Sequence, residues 1–166
     1  MTTSSMQPAS APARFTIRHA SPADGAFLFS LAPRLSGVPR PPWHSLQAME
    51  AFQERFMEDT LGSLAEGSIT LIAVSTDDAP LGYIHALPGN DGVTGEPCGY
   101  VAIIAVTAAA EGMGVAGQLM AQAEDWARRQ GYRFLSLDAF AGNAHALEFY
   151  RRGGFQPETI RLVKPL

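Results

Sequence analysis

A single cysteine, Cys98, stands in 166 residues, which excludes an internal disulfide framework and any cysteine-rich metal cluster. No His–Asn or His–Asp context points to that thiol as a nucleophile, so it reads as packing at the start of a strand. Charge is sparse as well. Only 17% of the residues are charged, with 12 basic and 16 acidic side chains and a net charge of −4. General binders of nucleic acid or anionic membrane carry the opposite balance, so neither partner is expected. Long apolar runs are missing too, since none approaches the about 20 residues of a membrane span. The segment 1–13 lacks both a basic n-region and an apolar h-region. It reads as a flexible Ser/Thr/Pro/Ala tail, not a signal peptide. Together these absences make a reducing cytoplasm the default location and leave no metal expected.

What remains, 14–166, is long enough for one domain with its own core. Alternation at Phe15 and Ile17 marks a short strand over 15–18. Ser21, Pro22 and Asp24 form a capping-box start for a helix that fades near Pro33. The stretch 34–44 holds three prolines and a glycine and reads as an irregular loop. It also carries Arg34, Arg40, Trp43 and His44. Ser45 caps a second helix, with Met49, Phe52, Phe56 and Met57 at near-helical spacing, a pattern of core packing. Strands follow over 68–75 and 81–86, joined by the turn Asp77-Asp78-Ala79-Pro80. A longer connection, mobile by its Pro, Gly and Asn content, leads from Pro88 to Cys98. A further strand runs over 99–106, and no internal repeat is visible.

The most informative stretch comes next. The strand ends in Ala105-Val106 and enters Glu111-Gly112-Met113-Gly114-Val115-Ala116-Gly117, which carries three glycines in six residues. An amphipathic helix leaves it, with Val115, Leu119, Ala123, Trp126 and Ala127 on one face and Gly131 as its stop. Glycines at a strand-to-helix turn let several N–H groups converge, and the helix N-terminus adds about half a positive charge. The turn is therefore either a plain connection or a site for phosphate or another anion. A strand over 132–139, a helix over 144–152 and a last strand over 159–164 complete the chain. The order is β-α-α-β-β-β-α-β-α-β. The late β-α-β crossover makes the strands on either side of the glycine-loop helix parallel neighbours in a mixed sheet, with ligands expected at their carboxyl ends.

Two segments resemble the GNAT superfamily of N-acetyltransferases. Glu111-Gly112-Met113-Gly114-Val115-Ala116 is similar to the family's acetyl-CoA loop, Gln/Arg-x-x-Gly-x-Gly/Ala. Asn143 through Phe155 is similar to its Asn-x-x-Ala-x-x-x-Tyr-x-x-x-Gly-Phe signature. Both occur in the right order, with one helix and one strand between them. The resemblance implies a single α/β domain, a mixed twisted sheet with splayed middle strands and about four helices. It implies acetyl-CoA as co-substrate, with pantetheine against the backbone of Ile104, Ala105 and Val106. Amides of Gly112, Met113, Gly114, Val115, Ala116 and Gly117 would hold the pyrophosphate. Glu111 departs from the pattern, and its carboxylate is expected to point to solvent because it would repel that pyrophosphate.

The implied reaction is attack of an amine, from a small molecule or a protein amino group, on the acetyl thioester through a tetrahedral intermediate. Tyr150 fits the acid for the departing thiolate, or else is a core aromatic beside Phe149. Asn143 is a helix N-cap and a candidate for bonding the pantetheine. No carboxylate lies over 99–106 to take the amine's proton. His85, Glu96 and Asp138 are the candidates, each with a plain structural role as the alternative. Arg34, Arg40, Trp43 and Tyr100 are candidates for contacting the acceptor, the arginines through an acidic group on it. The first three equally suit a solvated, proline-stiffened loop. A monomer or homodimer is expected. A non-catalytic acyl-CoA-binding domain is the competing reading. A nucleotide-phosphate binder is disfavoured by the absence of Lys-Ser/Thr after Gly114.

Overall fold

Period-two patterning builds a sheet of five strands in the order β1-β2-β3-β4-β5. The structure, a computed structural model, describes residues 14–62 and 65–166; the expected tail 1–13 lies outside them. β1 (Phe15–His19), β2 (Ile69–Ser75), β3 (Pro80–Asn90) and β4 (Pro97–Val106) form an antiparallel series, and β5 (Leu135–Leu137) joins β4 in parallel. The parallel step follows from the helix between them, since a chain crossing over a sheet returns in the same direction. Helices α1 (Gly25–Ser30), α2 (Ala32–Ser36) and α3 (Leu46–Gly62) precede the β2–β3 hairpin, α4 (Val115–Arg129) forms the crossover, and α5 (Ala144–Arg152) follows β5. No described helix is long and apolar enough to cross a membrane.

The sheet has a core on each face. Leu71, Ala73, Ile84, Ala86 and Val101 pack against Val115, Leu119, Ala123 and Trp126 of α4. Ile72, Val74, Tyr83, Ile103 and Ala105 pack with Leu28 of α1, Leu31 at the α1–α2 junction and Met57 of α3. The apolar stripe of α4 is buried as its spacing predicts. Each large side chain there contributes about 1.5–3 kcal/mol by leaving water. Gly99 is needed where α4 crosses β4: a Cβ there would sit 3.0 Å from the Trp126 ring and 2.8 Å from Leu135.

Several elements differ from the sequence expectation. Pro33 opens α2 instead of ending a helix, so the chain stays helical to Ser36. Its missing N–H lies in a first turn, where no intrahelical bond is lost. The mobile connection expected after Pro88 is shortened at both ends by strand, which leaves a turn over 91–96. Asn90 faces Pro97 across a hairpin whose tip is tied by Asp91 accepting from Thr94. β2 has already ended there, and an edge position tolerates proline. β5 is three residues long instead of eight, because it touches β4 only briefly. No strand forms over 159–164. Ile160 and Leu162 are 76% and 90% exposed, and an alternating sequence without a partner edge gains nothing from extending.

Candidate functional site

The middle of the sheet is open. β4 pairs with β5 only through Gly99, Tyr100 and Val101, opposite Leu135, Ser136 and Leu137. From Ala102 to the strand's end, β4 has β3 on one side and, among the described residues, no strand on the other. A bulge sits where the parting begins: His85 faces Ile103 and Ala86 faces Val101, which leaves Ala102 as the extra residue. The bulge turns both Ala102 and Ile103 toward the α1–α3 face, while Ile104 and Val106 turn to the α4 face. Ile104, Ala105 and Val106 therefore line a free backbone edge.

That edge leads into the glycine loop. Thr107 donates its N–H to Leu81, and a single 3-10 turn, Ala108–Ala110, carries the chain to Glu111. Gly112 and Gly114 then take φ of 74° and 81°, a region that side chains with Cβ disfavour. Gly114 is the N-cap of α4 and brings no side chain to close it. Among the described residues, the amides of Gly112, Gly114, Val115, Ala116 and Gly117 donate to no carbonyl, whereas Met113 donates to Ala110. Unpaired N–H groups at one helix end form an anion-binding nest. The Glu111 side chain is 60% exposed, as expected, and forms an ion pair with Arg34 of α2.

Asn143 and Tyr150 stand at the start and near the end of α5. Asn143 caps that helix by accepting from Ala146 at 3.3 Å. About two turns later, Tyr150 packs edge-on between Phe149 and Phe155, with ring centres 5.3 and 5.9 Å away. Its phenol makes no hydrogen bond to a described residue, and burial raises its pKa above 10.0, so it stays protonated at neutral pH. Tyr150 lines a cleft of about 310 Å³ between α4 and α5, together with Gly117, Met120 and Phe155.

A second cavity, also about 310 Å³, opens on the α1–α3 side. Phe56 and Asp59 of α3, His85 and Leu87 of β3, and Tyr100 and Ala102 of β4 are among its walls. Ala102 thus belongs both to the cavity and to the point where β4 leaves β5. Tyr100 donates to Asp138 Oδ2 at 3.0 Å; burial first, then Asp138, pushes the phenol up to about 12. His85 is 1% exposed, and its Nδ1 lies 2.8 Å from Thr70 Oγ1. Burial pushes its pKa down to about 4, so the imidazole is neutral at pH 7.

Of the three carboxylate or imidazole candidates, Glu96 is engaged with Arg133 at 2.8 Å on the surface, Asp138 accepts from Tyr100, and His85 lines the cavity. Arg40 donates to the His44 carbonyl of its own loop, and Trp43 is 45% exposed. Neither is among the walls of the two clefts. Three residues escaped the sequence reading: Asp59, Thr70 and Thr107. The Thr107 hydroxyl oxygen is buried, without a hydrogen-bond partner among the described residues, where β4 enters the loop. A signal existed for Thr70, since closing the β2–β3 hairpin sets it opposite His85. Asp59 and Thr107 carried none.

A sequence profile described as "Acetyltransferase (GNAT) family" matches residues 35–155. No curated protein matches the chain. Among solved structures, a provisionally assigned acetyl transferase from Pyrococcus furiosus superposes with a TM-score of 0.76 at 22% identity, covering 92% of this chain and 99% of that one. The aminoglycoside 6'-N-acetyltransferase AAC(6')-IG from Acinetobacter haemolyticus, in its apo form, gives 0.65 at 26% identity over 91% and 99%. AAC(6')-Iy, in complex with a bisubstrate analog built on CoA, gives 0.64 at 22% identity over 92% and 99%.

Proposed function

The chain belongs to the GNAT family of acetyltransferases, and from that premise we propose that it transfers acetyl from acetyl-CoA to a primary amine, with Tyr150 as the acid. The observation that carries this reading is the row of unpaired amides at Gly112, Gly114, Val115, Ala116 and Gly117, continuous with the free edge of β4. Acetyl-CoA supplies an electrophilic thioester and a diphosphate. The free amides fit the diphosphate, and the backbone of Ile104, Ala105 and Val106 fits a pantetheine arm lying along the strand. An N–H on that edge is available to a developing oxyanion. The Asn143 side chain caps α5, and the resemblance to the family's signature makes it a candidate to hold the same arm.

Tyr150 hands its proton to the departing thiolate and regains one from the acylated nitrogen. Burial raises the phenol's pKa and acts in the same direction on a thiol leaving into the same dry cleft, so the two groups stay close enough in acidity for the proton to pass. The acceptor enters the cavity walled by Phe56, Leu87, Tyr100 and Ala102, which meets the parting of β4 and β5. Neutral His85 offers no positive charge to repel an amine there. Those walls are largely apolar, with Asp59 the one carboxylate among the described residues that line them. The test panel therefore pairs an aminoglycoside with compact arylalkyl amines.

Thiol release from acetyl-CoA is measured with each amine. Wild-type protein turns over at least one, and Tyr150→Phe lowers kcat by about 100-fold or more while CoA still binds. Binding of CoA with no turnover across the panel would favour a carrier or sensor instead.

A further inference from the structure

The glycine loop carries a contradiction. Its amides and the start of α4 favour an anion, yet its first side chain is the carboxylate of Glu111. An unbalanced negative charge there would oppose a diphosphate at close range. The balance comes from far along the chain. Arg34, in the last turn of α2, pairs with Glu111 across 77 residues of sequence. Apart from that pair, no side-chain hydrogen bond joins Arg34 to a described residue. A guanidinium has five N–H donors in a planar fork, so most of its donors stay available. The side chain is 38% exposed at the mouth of the loop. A cation in that position, with donors left over, can hold a carboxylate and a phosphate oxygen together.

We propose that Arg34 is a ligand for the diphosphate of CoA, presented to the glycine loop by Glu111. The inference rests on the CoA reading above. It makes Glu111 the tether of a cation supplied from a different element, where the family pattern has a Gln or Arg side chain in the loop itself. It also joins α2 to the CoA loop by one ion pair across the fold.

The test compares CoA, dephospho-CoA and pantetheine on wild-type protein, Arg34→Ala, Glu111→Gln and the double variant. NMR titration reads binding down to millimolar affinity. Arg34→Ala is expected to weaken CoA and dephospho-CoA on the order of tenfold and to leave pantetheine within about twofold. Glu111→Gln added to Arg34→Ala recovers part of the loss by removing the uncompensated carboxylate. The loss shrinks in high salt, as screening requires. Three results overturn the assignment: CoA affinity indifferent to Arg34, a loss shared equally by pantetheine, or a loss that vanishes with dephospho-CoA. Indifference to Arg34 with CoA still binding sinks this inference alone. A wild-type protein that binds no CoA sinks it together with the reading on which it stands.

Discussion

His85 is the residue whose environment contrasts most with its free chemistry. Its ring is enclosed by Thr70 of β2, Tyr100 of β4 and the α3 wall that includes Asp59. In the unfolded chain it protonates near 6.5, but in the fold burial holds it neutral down to about 4. Between those values the unfolded state binds the extra proton, so stability falls as the solution is acidified through that window. The effect is on the order of 3 kcal/mol at full development. Urea midpoints at pH 7, 5.5 and 4.5 should drop more steeply for wild type than for His85→Gln; parallel curves would refute the assignment. Residue identities were unevenly legible. The Asn143 cap and the packing of Tyr150 beside Phe149 were legible in the spacing of a single helix, a local property. The partner of Glu111 was not, because an ion pair between residues 34 and 111 leaves no mark on either neighbourhood in the sequence.

Elements carry their own tests, and the loop with α4 supplies a paired one. Gly114 has φ of 81°, whereas Gly117 lies inside the helix, and a Cβ at either position would meet nothing within 4 Å. Crowding is thus absent from both substitutions, and backbone conformation alone decides. Gly114→Ala should cost about 1 kcal/mol in strain, while Gly117→Ala should gain about 0.5–1 kcal/mol from helix propensity. Opposite shifts in the thermal midpoint are the expected result. Both variants should bind CoA less well, the first by re-aiming amides and the second by placing a methyl beside them. Strand–loop–helix patterning was read correctly here because glycines, caps and apolar periodicity all act within a few residues. Element ends were less legible. Pro33 and Pro88 looked like interruptions, yet one opens α2 and the other lies in β3 beyond the last pairing with β2. What a proline breaks depends on whether its N–H was needed, and that is set by neighbours distant in sequence.

For the whole molecule, the C-terminal stretch separates pattern from pairing. Residues 159–166 donate no hydrogen bond to any described residue, and Leu162 and Leu166 are almost wholly exposed. Deleting 159–166 should leave the free energy of unfolding within about 0.5 kcal/mol of wild type, the range of surface changes. A larger loss would mean that this stretch has a partner edge after all. By itself the sequence determined the order of the elements as far as α5, the buried face of α4, the glycine turn before it and the spacing that resembles the acetyltransferase signature, because each rests on contacts a few residues apart. Tertiary structure alone decided where β4 parts from β5, which cavity meets that gap, how His85 stays neutral and that Arg34 answers Glu111. Those depend on burial and on charges brought together across the fold, and neither exists until the chain has closed on itself.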